Sequence, residues 1–199
     1  VWVSASGAPA GGVVAAGALS ANSSLYAQMP FDVQKDLRPV SMLASIPFVL
    51  VGNPAVPAKT LKDLIARAKA HPGQLSVAHG GNGTAMHLSI ALFSQMAGVK
   101  LVEVPYKGSG PAALDAIGGQ VNLAMVDLPS ALQQIRAGKL TAYAVTTPNR
   151  LSQLPEVPTM SEAGVPGYDS TGWFGVVAPA ATPTGAVARM NVALTEALS

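Results

Sequence analysis

With 199 residues, 49% of them hydrophobic, the chain is long enough for one large domain or two small lobes and apolar enough for a real core, which argues against disorder. Charged residues make up 11%, and Lys plus Arg exceed Asp plus Glu by only 12 to 10 with no basic cluster, so there is no field to draw in nucleic acid or an anionic membrane. Cysteine is absent, which excludes disulfides, thiolate nucleophiles and Cys-ligated metals, and no apolar run approaches the roughly eighteen residues that would span a bilayer.

Val1 to Asn22 is rich in Ala, Gly and Val, but without an initiating Met or a basic flank it reads as a strand and loop of the folded body rather than an export signal. Pro30 to Pro39 reads as a turn region and Met42 to Val51 as a strand. Thr60 with Asp63 forms a capping-box start for a helix whose Leu61, Leu64, Ile65 and Ala68 share a face, and His71, Pro72 and Gly73 close it. Leu75 to Ala78 reads as a strand that breaks at Gly80, Gly81, Asn82 and Gly83. Thr84 then opens a helix on which Leu88, Leu92 and Met96 form one stripe.

The strand, loop and helix unit recurs. Lys100 to Val104 is a strand, Pro105 to Gly110 a loop, and Pro111 lies in the first turn of a helix ended by Gly118 and Gly119. Val121 to Val126 is the next strand, Pro129 opens a helix that stops at Gly138, and Leu140 to Thr146 is a further strand. Such alternation implies right-handed crossovers and a parallel sheet covered on both faces. After Thr147, Pro148, Pro155, Pro158 and Pro166 mark a connection with little periodicity. Trp173 to Ala178 then reads as a buried strand, and Thr182 with Pro183 starts a helix carrying Val187, Met190, Leu194 and Leu198.

In a parallel α/β sheet, ligands gather beyond the carboxyl ends of the strands. The loop from His79 to Thr84 offers glycines for close backbone approach and a helix N-terminus that favours an anion by about 0.3 to 2 kcal/mol. The plain alternative is a turn for chain reversal. Neither the dinucleotide glycine pattern nor a phosphate P-loop is present. Tyr106-Lys107-Gly108 offers a phenol and a cation that could pair with a carboxylate, or simply a solvated lysine. Asp127 ends a strand and either meets a ligand or caps the helix behind it. Trp173 and Phe174 pack in the core or wall a pocket, and adjacent strand residues face opposite ways.

Of the histidines, His71, His79 and His87, the last two are eight apart with no nearby acid to complete a set, so no metal site is expected, and His87 reads as a structural histidine. No nucleophile elbow, carboxylate pair or Ser/His/Asp set emerges, so no catalytic residue is assigned.

Several blocks in one order resemble the substrate-binding receptors of tripartite tricarboxylate transporters, the Bug family. They are Ser24-Leu25-Tyr26, Pro30-Phe31-Asp32, Lys35-Asp36-Leu37 with Pro39-Val40, Gly81-Asn82-Gly83-Thr84 with His87-Leu88, and Val104-Pro105-Tyr106-Lys107-Gly108. Gly118-Gly119-Gln120-Val121, Leu128-Pro129-Ser130-Ala131, Ala137-Gly138-Lys139-Leu140, Leu154-Pro155-Glu156-Val157-Pro158-Thr159, Glu162-Ala163-Gly164, Trp173-Phe174-Gly175 and Ala178-Pro179 continue them. The resemblance runs from Ser20 to Ser199.

It implies an α/β fold of the type II periplasmic-binding-protein kind, two-lobed with parallel-rich sheets and a ligand cleft between lobes. Residues 1–45 and 148–199 would contribute to lobe 1 and residues 46–147 would form lobe 2. The implied function is capture of a small carboxylate in the periplasm for the transporter's membrane subunits, without enzymatic activity, cofactor or nucleic acid. The expected ligand-binding residues are Gly81, Asn82, Gly83, Thr84, Tyr106, Lys107, Gly108, Asp127, Trp173 and Phe174. Family members begin with a strand and a Pro/Gly-rich loop that has no counterpart in Val1 to Gly17, and they continue past the final helix, so the chain reads as truncated, with an incomplete first lobe. The family's acid before Leu-Pro-Ser is displaced by one residue at Asp127, which on a strand turns it to the other face. The alternatives are a metabolite-sensing domain of the same fold, a non-binding fragment, or an enzyme using Lys107 or Asp127 as acid or base.

Overall fold

The computed structural model describes residues 2–3, 9–10, 12–20 and 31–198. Ser24 to Tyr26, Pro30 and parts of the Val1 to Asn22 region lie outside the described residues. The chain divides into two units, one comprising Val1–Ser45, Gly83–Ala85 and Gly172–Ser199, the other Ile46–Asn82 and Met86–Thr171.

The second unit is the βα body. Its elements are the end of β4 (Leu37–Gly52), α3 (Leu61–Ala70), β5 (Ser76–His79), α4 (Ala85–Ala97), β6 (Val102–Pro105), α5 (Ser109–Ile117), β7 (Leu123–Asp127), α6 (Leu128–Arg136) and β8 (Thr141–Val145). Their order across the sheet is β8, β4, β7, β5, β6. Strands β6, β5 and β7 are parallel, as the βα repeats require, whereas β4 runs antiparallel to both β7 and β8. No βα crossover leads into β4, so nothing forces it to follow the direction of the others.

The core of this unit follows from strand composition. In β7, Leu123, Ala124, Met125 and Val126 are all fully buried, as expected of a central strand covered on both faces. Helix α3 starts where a reciprocal cap holds it: the Thr60 hydroxyl accepts from Asp63 N at 3.1 Å, and the Asp63 carboxylate accepts from Thr60 N at 3.0 Å. Its Leu61, Leu64 and Ala68 are buried.

Two expectations need correction here. Helix α4 buries Ser89, Ile90, Phe93 and Ala97, not the Leu88, Leu92, Met96 stripe, and Leu88 and Met96 are 37% and 40% exposed. The helix carries two apolar stripes, and periodicity cannot choose between them. The Pro-rich stretch after Thr147 is also no loose connection. Leu154, Val157, Met160, Val165 and Tyr168 are buried, Val145 N donates to Pro158 O at 2.9 Å, and Met160 N donates to Val145 O at 2.9 Å. Turns instead of a helix or strand bring these side chains inward, so no regular period announces them. Tyr168 donates to Ser89 O at 2.8 Å, and burial pushes its hydroxyl pKa up to about 12.

The first unit contains β1 (Trp2–Val3) paired antiparallel with β2 (Pro9–Ala10), then β3 (Gly12–Ala15), α1 (Ala16–Ser20), α2 (Val33–Asp36), the first part of β4, β9 (Thr171–Pro179) and α7 (Thr184–Leu198). The turn region before β4 therefore holds a short helix, capped by Asp32, whose carboxylate accepts from Gln34 N and Lys35 N. Strand β3 pairs antiparallel with β9, and Val14, Leu37 and Val177 form a small core. Helix α7 has the expected apolar stripe, but none of its described residues is buried. Asn191 ties it to β4, donating to Val40 O at 2.7 Å.

The choice of inward face on α4 is testable by denaturation. Phe93→Ala should cost about 3–5 kcal/mol, and Leu88→Gln less than about 0.5 kcal/mol. Urea midpoints in the opposite order would put the Leu88 stripe in the core.

Candidate ligand-binding site

The loops that follow β5, β6 and β7 lie at the carboxyl ends of adjacent strands, and hydrogen bonds join them. Tyr106 N donates to His79 O at 2.9 Å and Gly108 N to Gly80 O at 3.2 Å, which laces the second loop to the first. The buried Ser109 hydroxyl links all three: it accepts from Asp127 N at 3.2 Å and donates to Met86 Sδ at 3.1 Å. Ser109 was not singled out from the sequence. Its one signal is a hydroxyl residue directly after Gly108, the N-cap of α5, whose φ of 109° favours glycine.

The sequence-derived residues now have definite settings. Asp127 is the N-cap of α6, its carboxylate accepting from Ser130 N at 3.0 Å. Tyr106 donates its hydroxyl to Asp115 at 2.6 Å, and that hydrogen bond raises its pKa. Asn82 and Lys107 are exposed, and their side chains make no hydrogen bond among the described residues. Because His79 and Pro105 are register partners on parallel strands, Asn82 follows by three residues and Lys107 by two on neighbouring loops.

Gly81 and Gly83 have φ of 124° and 74°, so the turn itself demands glycine. Gly81, Gly83, Thr84 and Ala85 each have an interaction partner within the protein. Within the first unit, Gly17 of α1 lies against this turn. A β-carbon there would collide with Gly83 O and stand 3.0 Å from Thr84 Cα and 3.1 Å from Ala85 N. Gly83, Thr84, Trp173 and Phe174 all belong to the first unit, while Gly81, Asn82, Tyr106, Lys107, Gly108 and Asp127 belong to the second. On β9, Trp173 is half-buried and Phe174 is 37% exposed, so the two faces differ as strand alternation implies.

One grouping escaped the sequence reading. Glu103 of β6 supplies the acid that the spacing of His79 and His87 lacked: His87 Nε2 lies 2.9 Å from Glu103 Oε2. The His87 ring stacks on His79 with centroids 4.8 Å apart and planes 15° apart. His79 is fully buried, its Nδ1 is 3.1 Å from Gly81 O and 3.2 Å from Gly81 N, and its Nε2 has no hydrogen-bond partner among the described residues. Burial holds the His79 pKa below the ordinary imidazole range, and the charge of His87 adds to this, against opposing effects of Gly81 and Glu103.

A model of the tripartite tricarboxylate transporter family receptor matches residues 3–199. The chain belongs to that receptor family. Protein BugT of Bordetella pertussis is 39% identical over 180 residues, covering 90% of this chain and 55% of that protein. A relative from Pseudomonas sp. strain P51 is 39% identical over 175 residues, 87% of this chain and 52% of that protein. The chain thus spans about half the length of these curated relatives. Among solved structures, MatC from Rhodopseudomonas palustris with bound malate aligns with a TM-score of 0.83 at 33% identity, covering 94% of this chain and 64% of that one. An R. palustris protein with adipate gives 0.83 at 37% identity over 92% of this chain and 61% of that one. The periplasmic binding protein BugD gives 0.81 at 33% identity over 92% of this chain and 60% of that one.

These likenesses establish the α/β periplasmic-binding fold for the receptor chain, and the family is one of periplasmic receptors rather than enzymes. No described helix is long and apolar enough to cross a membrane.

The turn geometry predicts that glycine at 83 matters for folding before any ligand is present. Gly83→Ala should lower stability by about 1–2 kcal/mol in ligand-free protein. Unchanged thermal and urea midpoints would show that the turn relaxes freely and that the glycine serves something else.

Proposed function

We propose that this receptor chain captures a small organic carboxylate in the periplasm for delivery to the membrane subunits of a tripartite tricarboxylate-type transporter. The observation that carries the proposal is the laced crest of three loops at the carboxyl ends of β5, β6 and β7, presenting Asn82 and Lys107 outward. Adipate and malate accompany two of the structural relatives, and both are small dicarboxylates.

The proposed contacts in this unit are Gly81, Asn82, Tyr106, Lys107, Gly108 and Asp127. Lys107 supplies the charge that pairs with a carboxylate, and Asn82 supplies an amide donor. Tyr106, whose proton already goes to Asp115, offers its ring and a remaining lone pair. Asp127 acts mainly by fixing the head of α6, so an acid/base role for it is not part of the proposal. Only the ligand's carboxylate is recognised by this set, and the remaining walls of the pocket decide which acid is preferred.

The experiment is calorimetry and thermal shift with malate, adipate and a panel of other mono- and dicarboxylates, in buffer containing EDTA. At least one acid should bind and raise the melting temperature. Lys107→Gln should weaken that binding by about tenfold or more with an unchanged circular dichroism spectrum. Silence across the panel, or undiminished affinity in Lys107→Gln, would count against the proposal.

A further inference from the structure

The side chains of His79, His87 and Glu103 converge at the head of the glycine loop from three different elements: the end of β5, the first turns of α4 and the edge strand β6. Each offers one ligand atom, and these atoms lie within 4.8 Å of one another. We propose that this cluster is a binding site for one borderline divalent transition metal, Zn2+ or a close relative of it, separate from the carboxylate contacts.

The buried His79 nitrogen is the strongest support. When Nδ1–H donates to Gly81 O, Nε2 carries a lone pair with no hydrogen-bond partner among the described residues, in a ring that is fully buried. When Gly81 N–H donates to Nδ1 instead, Nε2–H is left buried without an acceptor. Either way a polar atom sits inside the protein unsatisfied, which native proteins rarely tolerate. The first arrangement is that of a metal-binding histidine, with the outer nitrogen tied to a backbone carbonyl that fixes the tautomer and aims the inner one. Imidazole ligates in its neutral form, which burial favours for His79.

The donor set points to the metal class. Two imidazole nitrogens and one carboxylate are the three-ligand set of open zinc sites, with a further position left for water. Hard cations such as Mg2+ and Ca2+ want oxygen donors and find one carboxylate here. Cu2+ would be taken by the same set, as the affinity order of such sites implies.

Closure is required. Metal–nitrogen bonds of about 2.0–2.1 Å bring ligand atoms closer together than the present spread. Stacked imidazoles also send their lone pairs side by side instead of to one point. His79 is fixed by burial and by Gly81, so closure falls to the His87 and Glu103 side chains, 22% and 33% exposed, which would exchange present partners for the ion. A bound metal would replace the His87–Glu103 pair and brace the start of the glycine loop from three elements at once. The inference stands apart from the carboxylate reading, because none of the three residues is a proposed carboxylate contact.

The test titrates metal-stripped protein, without any carboxylate, using Co2+ as an optical probe and Zn2+ in a calorimeter. The expected result is one ion per chain, with the visible bands of a low-symmetry Co2+ site that Zn2+ abolishes. Glu103→Gln and His87→Asn, both at partly exposed positions, should each weaken binding by about tenfold or more, since even lost outer-shell partners cost that much. His79→Asn should abolish it, and if that variant does not fold, the other two decide. Absence of Co2+ bands, or equal affinity in Glu103→Gln and His87→Asn, would overturn the proposal whether or not the chain binds carboxylates.

Discussion

The stretches of chain that follow β5, β6 and β7 meet at one hydroxyl. Ser109 accepts from Asp127 N and donates to Met86 Sδ, while main-chain bonds from Tyr106 and Gly108 reach back to His79 and Gly80. These contacts tie the ends of β5, β6 and β7 into one crest. Without them each loop would be positioned only by its own strand, and side chains such as Asn82 and Lys107 would have no defined spacing. Pre-organisation of this kind favours binding in general, because every loop ordered on binding subtracts from affinity.

The crest is also economical in what it leaves exposed. Most of its polar groups are already committed: Asp127 to the head of α6, Tyr106 to Asp115, and Gly81 and Gly83 to partners within the chain. Asn82 and Lys107 remain exposed, with no side-chain hydrogen bond among the described residues. The histidine pair behind the glycine loop has a different character. His79 is buried, stacks on His87 and has an Nε2 without a hydrogen-bond partner among the described residues.

Much of this was legible in the residues. Thr60 with Asp63, Asp127 before Pro129, and the glycines at 81, 83, 118 and 138 act locally, through caps and positive φ, and they marked helix starts and turns near where they occur. The loops after β5, β6 and β7 followed from that alternation. What was hidden depends on distance through the chain. Helix α4 has two apolar stripes, and only its surroundings in the fold select Ile90 and Phe93. The direction of β4 is set by its path, and the core residues between Leu154 and Tyr168 reach inward from turns with no period. Glu103 joins the histidines because β5 and β6 pair in a register that pattern alone does not specify.

The central claim is that a carboxylate docks on the crest, and the most direct measurement of it is a titration of 15N-labelled protein with malate and adipate followed by amide NMR. The account expects the largest shifts at Gly81, Asn82, Lys107 and Gly108, at the carboxyl ends of β5 and β6. At the other end of the sheet there is a cavity of about 150 Å³ lined by Asn53, Arg67, Leu75 and Asn122. Shifts concentrated there, with the crest unmoved, would contradict it.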